Sequence, residues 1–288
     1  MDGVLVCDKP AGLTSHDVVA RVRRLAGQRR VGHGGTLDPP ATGVLVMALG
    51  RATRLLPFLP TEPKRYLAEV AFGAETDTLD AAGTVTATAD ASGVDEATLR
   101  AALAGFVGPQ EQVPPMVSAI KVAGERLYAK ARRGEEVERA PRPIVIHDLE
   151  LLGLAQGERP VATIAVVCSG GTYVRSLAAD LGRSLGTLAH LASLRRTAVG
   201  RFAEADTHTL EELAEPGRLA AAVLDPAAAM ASTATRALTP AEASALANGR
   251  ALDPTGHSDP VAALGPDGRL VAVIQDSAGR ARPKVVLV

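Results

Sequence analysis

The sequence predicts a mixed helix-and-strand protein: a large α+β domain over residues 1–231 and a small β-rich domain over 232–288. Three observations predict it. Apolar runs of strand length, such as Val44–Leu49 and Val161–Cys168, alternate with stretches whose apolar positions recur at helical spacing, such as Val18, Val19, Val22 and Leu25. Turns containing Gly or Pro separate these runs. Beyond a composition change near Ser232 come a short helical stretch and strand-like runs, with Pro266-Asp267-Gly268 as a turn between two of them.

Taken in order, Gly3–Cys7 reads as a strand ending at the turn signal Asp8-Lys9-Pro10-Ala11-Gly12. Thr14 or Ser15 then caps a helix that Gly27 is placed to end. Its polar face and the residues just beyond carry Arg21, Arg24, Arg29 and Arg30. After the Val44–Leu49 run, Arg51–Leu56 reads as a helical turn stopped by Pro57 and Pro60. Lys64-Arg65-Tyr66 opens a strand with Tyr66, Ala68, Val70 and Phe72 on one face. An acidic loop and hairpin follow, holding Asp77 and Asp80, and then a helix from about Val94 with Leu99, Leu103 and Phe106 aligned. Residues 109–143 form a charged insertion: a strand-like Val117–Val122, a basic helix around Leu127–Arg133, and a loop. Strands return at Ile144–Ile146 and Val161–Cys168. Cys168–Ala178, CSGGTYVRSLA, is a strand, a glycine turn and a helix start with Thr172 as its N-cap. Arg175 would lie in the first turn of that helix, where a cation opposes the helix dipole, so a partner outside the helix is expected. Leu191–Phe202 reads as a helix end followed by a strand carrying Arg195, Arg196 and Arg201. The Ala-rich stretch to about Ala231 is helical, and the tail adds a helix over Thr239–Ala247 and strands at 261–264, 270–275 and 283–288.

Composition narrows the function classes. With 288 residues, 47% of them hydrophobic, the chain has ample material for a core. Formal net charge is only −1, but charge is segregated: residues 1–60 carry eight Lys/Arg against four Asp, and residues 74–96 carry six acids and no base. A basic face for a polyanion is compatible with that pattern, as are solvated helices of mixed charge. Cys7 and Cys168 are too few for a disulfide framework or a zinc site, and the six histidines are scattered. No signal peptide is legible at MDGVLVCDKP, and no run reaches the roughly 18 apolar residues that span a membrane. The expectation is a cytoplasmic protein with no membrane association, no metal and no cofactor.

The stretch Val31–Leu45, VGHGGTLDPPATGVL, stands apart. Glycines at 32, 34, 35 and 43 and prolines at 39 and 40 surround one histidine and one carboxylate. Pro39 restricts Asp38 to extended conformations, which predicts a stiff loop holding Asp38 at the lip of a buried strand. On spacing alone an ordinary Gly/Pro turn with a capping Asp explains the loop about as well.

Gly32–Leu45 resembles the catalytic motif of bacterial tRNA pseudouridine synthases of the TruB family. So, in the same order, do DKPAGLTSHDVV (Asp8–Val19), VSAIKVAGERLY (Val117–Tyr128) and CSGGTYVRSLA (Cys168–Ala178), with KRY at Lys64–Tyr66 and LRRTAVGRF at Leu194–Phe202 between and after them. The resemblance implies a mixed, largely antiparallel central sheet flanked by helices, with a PUA-like C-terminal RNA-binding domain. It makes Asp38 the nucleophile, Tyr66 the residue that stacks on the target base, and Arg175 the salt-bridge partner of Asp38. The substrate-binding residues it implies are His33, which fills the space of the displaced base, Leu194 as a pocket wall, and Lys64, Lys121, Arg132, Arg133 and Tyr173. On residue type alone Tyr173 fits a core or interface residue better, Tyr66 also fits an ordinary strand aromatic, and each arginine fits a solvated face.

The implied reaction converts uridine 55 in the T-loop of tRNA to pseudouridine. It breaks N1–C1′, turns the base and joins C5 to C1′, with no net redox change, so no cofactor is expected. It needs an ionised carboxylate in a sheltered site. Burial raises a carboxyl pKa and an adjacent arginine lowers it. The base must leave its stack, at a cost of about a few kcal/mol. The implied partner is the T-arm of tRNA, with no obligatory protein partner. Two other readings use the same residues: a non-catalytic tRNA-binding chaperone, and a synthase for another RNA.

Overall fold

The structure, a computed structural model, describes residues 1–116, 121–122, 125–126, 133 and 137–287, with the backbone alone for 121–122 and 125–126. The chain begins with β1 (Gly3–Lys9), α1 (Ser15–Leu25), β2 (Val31–His33), β3 (Thr42–Leu49) and a 3-10 helix over Gly50–Leu55. Next come β4 (Lys64–Phe72), the antiparallel pair β5 (Ala74–Thr76) and β6 (Val85–Thr88), α2 (Glu96–Gly105) and β7 (Gly108–Gln112). The short strands β8 (Lys121–Val122) and β9 (Glu125–Arg126) precede β10 (Arg142–Ala155), β11 (Val161–Cys168), α3 (Val174–Ser184) and β12 (Ala189–Val199). β13 (Phe202–Ala203) leads into three short helices, α4 (Leu210–Ala214), α5 (Arg218–Ala222) and α6 (Pro226–Ala229). The last elements are β14 (Thr235–Ala237), α7 (Pro240–Ala247), β15 (Val261–Leu264), β16 (Leu270–Ser277) and β17 (Arg280–Val286). The class is α+β, with mixed, largely antiparallel sheet flanked by helices, as expected.

The elements fall into two units, one of residues 1–39, 43–61 and 199–288, the other of 40–42 and 62–198. The first is organised on β3, which pairs antiparallel with β1 in the register Val6↔Val46 and with β2 in the register Val31↔Leu49. Successive side chains of a strand point to opposite faces, and β3 is buried on both. Val44, Val46 and Ala48 join Val4, Val6, Phe202 and Met230 in one core. Leu45, Met47 and Leu49 join Val18, Val19 and Val22 of α1 in another. Each such valine, leucine, methionine or phenylalanine contributes about 1.5–3 kcal/mol on burial. Thr14 caps α1 in a reciprocal box with Asp17, and Gly27, at φ +59°, closes it. Ala262, Leu270, Val273, Val285 and Leu287 belong to the same core as β1 and β3, so the C-terminal four-stranded sheet (β14-β15-β16-β17) has no separate inner face there. Its other face packs with Leu246 of α7.

The second unit is a sheet in the order β12-β4-β11-β10-β7. Antiparallel ladders join β4 to β11, β11 to β10 and β10 to β7. β4 shows strict alternation, with Tyr66, Ala68, Val70 and Phe72 buried and Arg65, Leu67 and Glu69 exposed. α3 packs against β4, and α2 against β10. β10 runs to 14 residues where the sequence pattern marks only Ile144–Ile146, because register shifts at Ile146/Asp148 and Leu151/Gly153 break its alternation. Leu191 and its neighbours are strand, not the end of a helix. Gly186, at φ +72°, has already closed α3, and Gly182 admits the backbone of Ala189 so closely that a Cβ there would lie 2.6 Å from its nitrogen.

Candidate active site

In the first unit, Asp38 lies half-buried between the buried Leu37 and the exposed Pro39. The loop is tied at consecutive positions. The hydroxyl of Ser15, at the start of α1, accepts the Leu37 amide at 2.9 Å and donates to the Leu37 carbonyl at 3.1 Å. The Pro39 carbonyl accepts from the Gly12 amide at 2.8 Å and from the Lys9 ammonium at 3.1 Å. Lys9 is wholly buried and donates also to the Pro10 carbonyl. A buried ammonium that donates to a carbonyl in each of two loops holds them together through charge-assisted bonds. The DKPAG and LTSHD motifs therefore act on Asp38 through its neighbours, fixing the backbone on both sides of it. His33, at the end of β2, accepts weakly from the Gly35 amide through Nδ1 at 3.4 Å. Its ring meets that of His16 edge-to-face at 5.2 Å.

In the second unit, Tyr66 is 8% exposed on the inner face of β4. The register pairs it with Val166 and pairs Lys64 with Cys168. On the outer face the Ser193 hydroxyl of β12 donates to Glu69 of β4 at 2.6 Å. Alternation along β12 then directs Leu194 and Arg196 to the Tyr66 side. Leu194 is half-buried and Arg196 is 2% exposed. Burial pushes the Tyr66 phenol above its usual range, while the Arg196 guanidinium, hydrogen-bonded to it, pulls the other way. Burial also pushes the Cys168 thiol up to about 11, so it stays protonated near neutral pH. Lys64 sits 3.7 Å from Glu62, whose carboxylate accepts the Gly170 amide at 2.7 Å.

Arg175 occupies the first turn of α3 and is buried. Its guanidinium contacts the Asp80 carboxylate at 3.4 Å and donates to the Thr78 carbonyl at 3.1 Å, which is the kind of partner outside the helix that its position demands. Asp80 also accepts from the Thr78 hydroxyl and the Ala82 amide, and Leu79 between them has φ +61°. Non-glycine residues rarely adopt that conformation, so the turn is held by its surroundings. Sequence pattern did not single out Asp80 as the partner of Arg175. The signal was the unbalanced Arg175, which called for an acid, but six acids between 74 and 96 offered no way to choose. Thr172 is not the N-cap. Tyr173 is, and its amide and carbonyl both bond the Gln112 side chain, at 2.7 and 3.1 Å, while the Thr172 hydroxyl donates back to Ser169. Tyr173 itself is half-buried. Lys121 begins β8 and Arg133 is exposed at a turn. Arg132, the Lys121 side chain and the expected basic helix lie outside the described residues. Among the described residues no cluster of His, Cys, Asp or Glu suits a metal ion, and no helix is long and apolar enough to cross a membrane.

Residues 23–174 match the family model of the TruB family pseudouridylate synthase N-terminal domain. Residues 175–244 match the tRNA pseudouridylate synthase B C-terminal domain, and residues 234–288 the C-terminal part of tRNA pseudouridine synthase II. The class is that of the pseudouridylate synthases, which are isomerases. The chain is 46% identical to the tRNA pseudouridine synthase B of Thermobifida fusca over 99% of its own length and 98% of that protein's. It is 56% identical to the protein of the same name from Symbiobacterium thermophilum over 80% and 76%. Its fold matches a chain of a Cbf5-Nop10-Gar1 complex with a TM-score of 0.76 at 27% identity, covering 99% of this chain and 85% of that one. The chain belongs to the TruB family.

Proposed function

We propose that this enzyme isomerises uridine to pseudouridine in tRNA, at position 55 of the T-loop, on a nucleotide flipped out of its fold. Asp38 is the nucleophile, Arg175 its counter-charge, and Tyr66 the ring on which the extracted base stacks. Leu194 walls the pocket, and His33 fills the space the base leaves. Lys64, Tyr173 and the basic segment with Lys121, Arg132 and Arg133 grip the RNA, joined by residues 232–288 as a PUA-like RNA-binding domain. The T-arm is the partner, and neither cofactor nor protein partner is needed. The observation that carries this reading is the Asp38 loop, anchored through Ser15, Gly12 and Lys9 immediately on either side of the carboxylate. An ordinary capping turn does not require a buried lysine. Relatives named tRNA pseudouridine synthase B at 46% identity over essentially the full length support the choice of tRNA.

Chemically, the carboxylate attacks or stabilises the sugar or base as N1–C1′ breaks; the base turns, C5 joins C1′ as any bond to the carboxylate is released, the C5 hydrogen leaves as a proton and N1 takes one up. Stacking on Tyr66 and filling by His33 offset the cost of extrusion. The test is tritium release from C5-labelled tRNA transcript without other macromolecules. Wild type is expected to release label from transcript carrying the T-loop uridine and not from one with that uridine replaced. Asp38→Ala is expected to abolish release and leave tRNA affinity nearly unchanged, since affinity for a polyanion comes chiefly from cations that meet its phosphates. Release from the replaced transcript, or turnover by Asp38→Ala, overturns the assignment.

A further inference from the structure

Among the described residues Arg196 is the largest fully buried side chain, and neither the Asp38 loop nor the Arg175 pair uses it. Removing a guanidinium from water is costly, and an apolar side chain of similar size would fill the same space at less cost. Its surroundings give the reason for a cation there. β12 lies beside β4 in the sheet, and the alternation fixed by Ser193 and Glu69 turns Arg196 to the inner face. There it hydrogen-bonds the hydroxyl of Tyr66. A guanidinium offers donors only, so the phenol oxygen accepts and the phenol hydrogen is directed elsewhere. The other charged or titratable groups felt by that phenol are Cys168 on β11 and Glu62 ahead of β4. Cys168 is neutral near pH 7, and Glu62 lies 3.7 Å from Lys64.

We propose that Arg196 is a positioning residue for Tyr66: from β12 it clamps the phenol oxygen and so fixes the ring against which the extracted base stacks. The assignment rests on the reading of Tyr66 given above. A tyrosine ring turns about two torsions, and a bond at its far end restrains both. Misplacement of a reacting partner by about 1 Å lowers rate on the order of a hundredfold. The clamp therefore acts on turnover, not on the phosphate contacts that set tRNA affinity.

The experiment uses the full chain labelled at the phenol carbon of tyrosine. Three tyrosines give three signals, and Tyr66→Phe identifies the one from Tyr66. Arg196→Lys is expected to move that signal and leave the other two in place. For kinetics, Arg196→Lys, Arg196→Met and Tyr66→Phe are measured singly, and each Arg196 variant is combined with Tyr66→Phe. Each Arg196 variant is expected to lower kcat about tenfold to a hundredfold with KM for tRNA little changed, the lysine less than the methionine. The losses are expected not to add in the doubles, because both substitutions remove one interaction. If Arg196→Met fails to fold, the lysine series carries the comparison. An unmoved Tyr66 signal, or losses that multiply in full, overturns the proposal. Wild type that converts no uridine would instead overturn the proposed function, with the tyrosine signal still reporting the clamp.

Discussion

At the scale of single residues, Arg175 shows how a local misfit reveals a distant partner. A cation in the first turn of a helix is unfavourable by its position, and the structure places Asp80 and the Thr78 carbonyl against it. Both side chains are less than a tenth exposed, so solvent screens their attraction little. Asp80→Asn keeps the shape and removes the charge. Breaking a buried pair from one side costs up to about 3–5 kcal/mol, because the remaining charge loses part of its compensation. The variant is expected to melt at a clearly lower temperature in a calorimetric scan and to lose most of its turnover. An unchanged melting temperature would show that the pair does not hold the turn. Lys9 illustrates the same principle with a different partner: its charge is buried among backbone carbonyls, and DKP is legible as a motif without showing what it grips.

At the scale of elements, β3 and the join between α3 and β12 carry the argument. β3 was legible because it is apolar throughout, and burial on both faces is the condition that produces such a run. The second part of β12, with Arg195 and Arg196, was legible as strand; its first part was not, because Leu191, Leu194 and Ala198 recur at helical spacing. Gly182 offers a test in which two effects oppose one another. Alanine is the better helix former by about 1 kcal/mol. Its Cβ would, however, stand 2.6 Å from the backbone nitrogen of Ala189. Backbone cannot swing aside as a side chain can, and overpacking of this kind costs about 1–3 kcal/mol. Gly182→Ala is expected to destabilise the protein despite its higher helix propensity. A denaturant midpoint equal to or above that of wild type would show that the strand can yield.

At the scale of the whole molecule, the near-zero net charge hides an uneven distribution. Long-range attraction to a polyanion depends on where cations stand, and each phosphate neutralised adds to the salt dependence of binding. Charge reversal at Arg132 and Arg133 together is expected to weaken tRNA binding and reduce the salt slope by about 2. Titration of affinity against salt concentration measures it directly, and an unaltered slope would remove both residues from the interface. The C-terminal segment gives the second lesson at this scale. Its composition sets it apart, but its apolar residues share a core with β1 and β3 in one unit. A change in composition records what a segment is made of, and only packing records which surface it covers.

What the sequence determined by itself was the class of the fold, the order of most elements, and the loop that presents Asp38. These depend on near neighbours: strand and helix periods, caps such as Thr14, and glycines that alone accept a left-handed turn. What tertiary structure decided was the company each charged side chain keeps: Asp80 beside Arg175, Arg196 against Tyr66, Lys9 on the carbonyls of its own loop and the next. Those pairings join residues as far as 130 positions apart, as with Tyr66 and Arg196. Periodicity says which face a residue takes but not what it meets there, because that depends on how separate strands and helices are brought together.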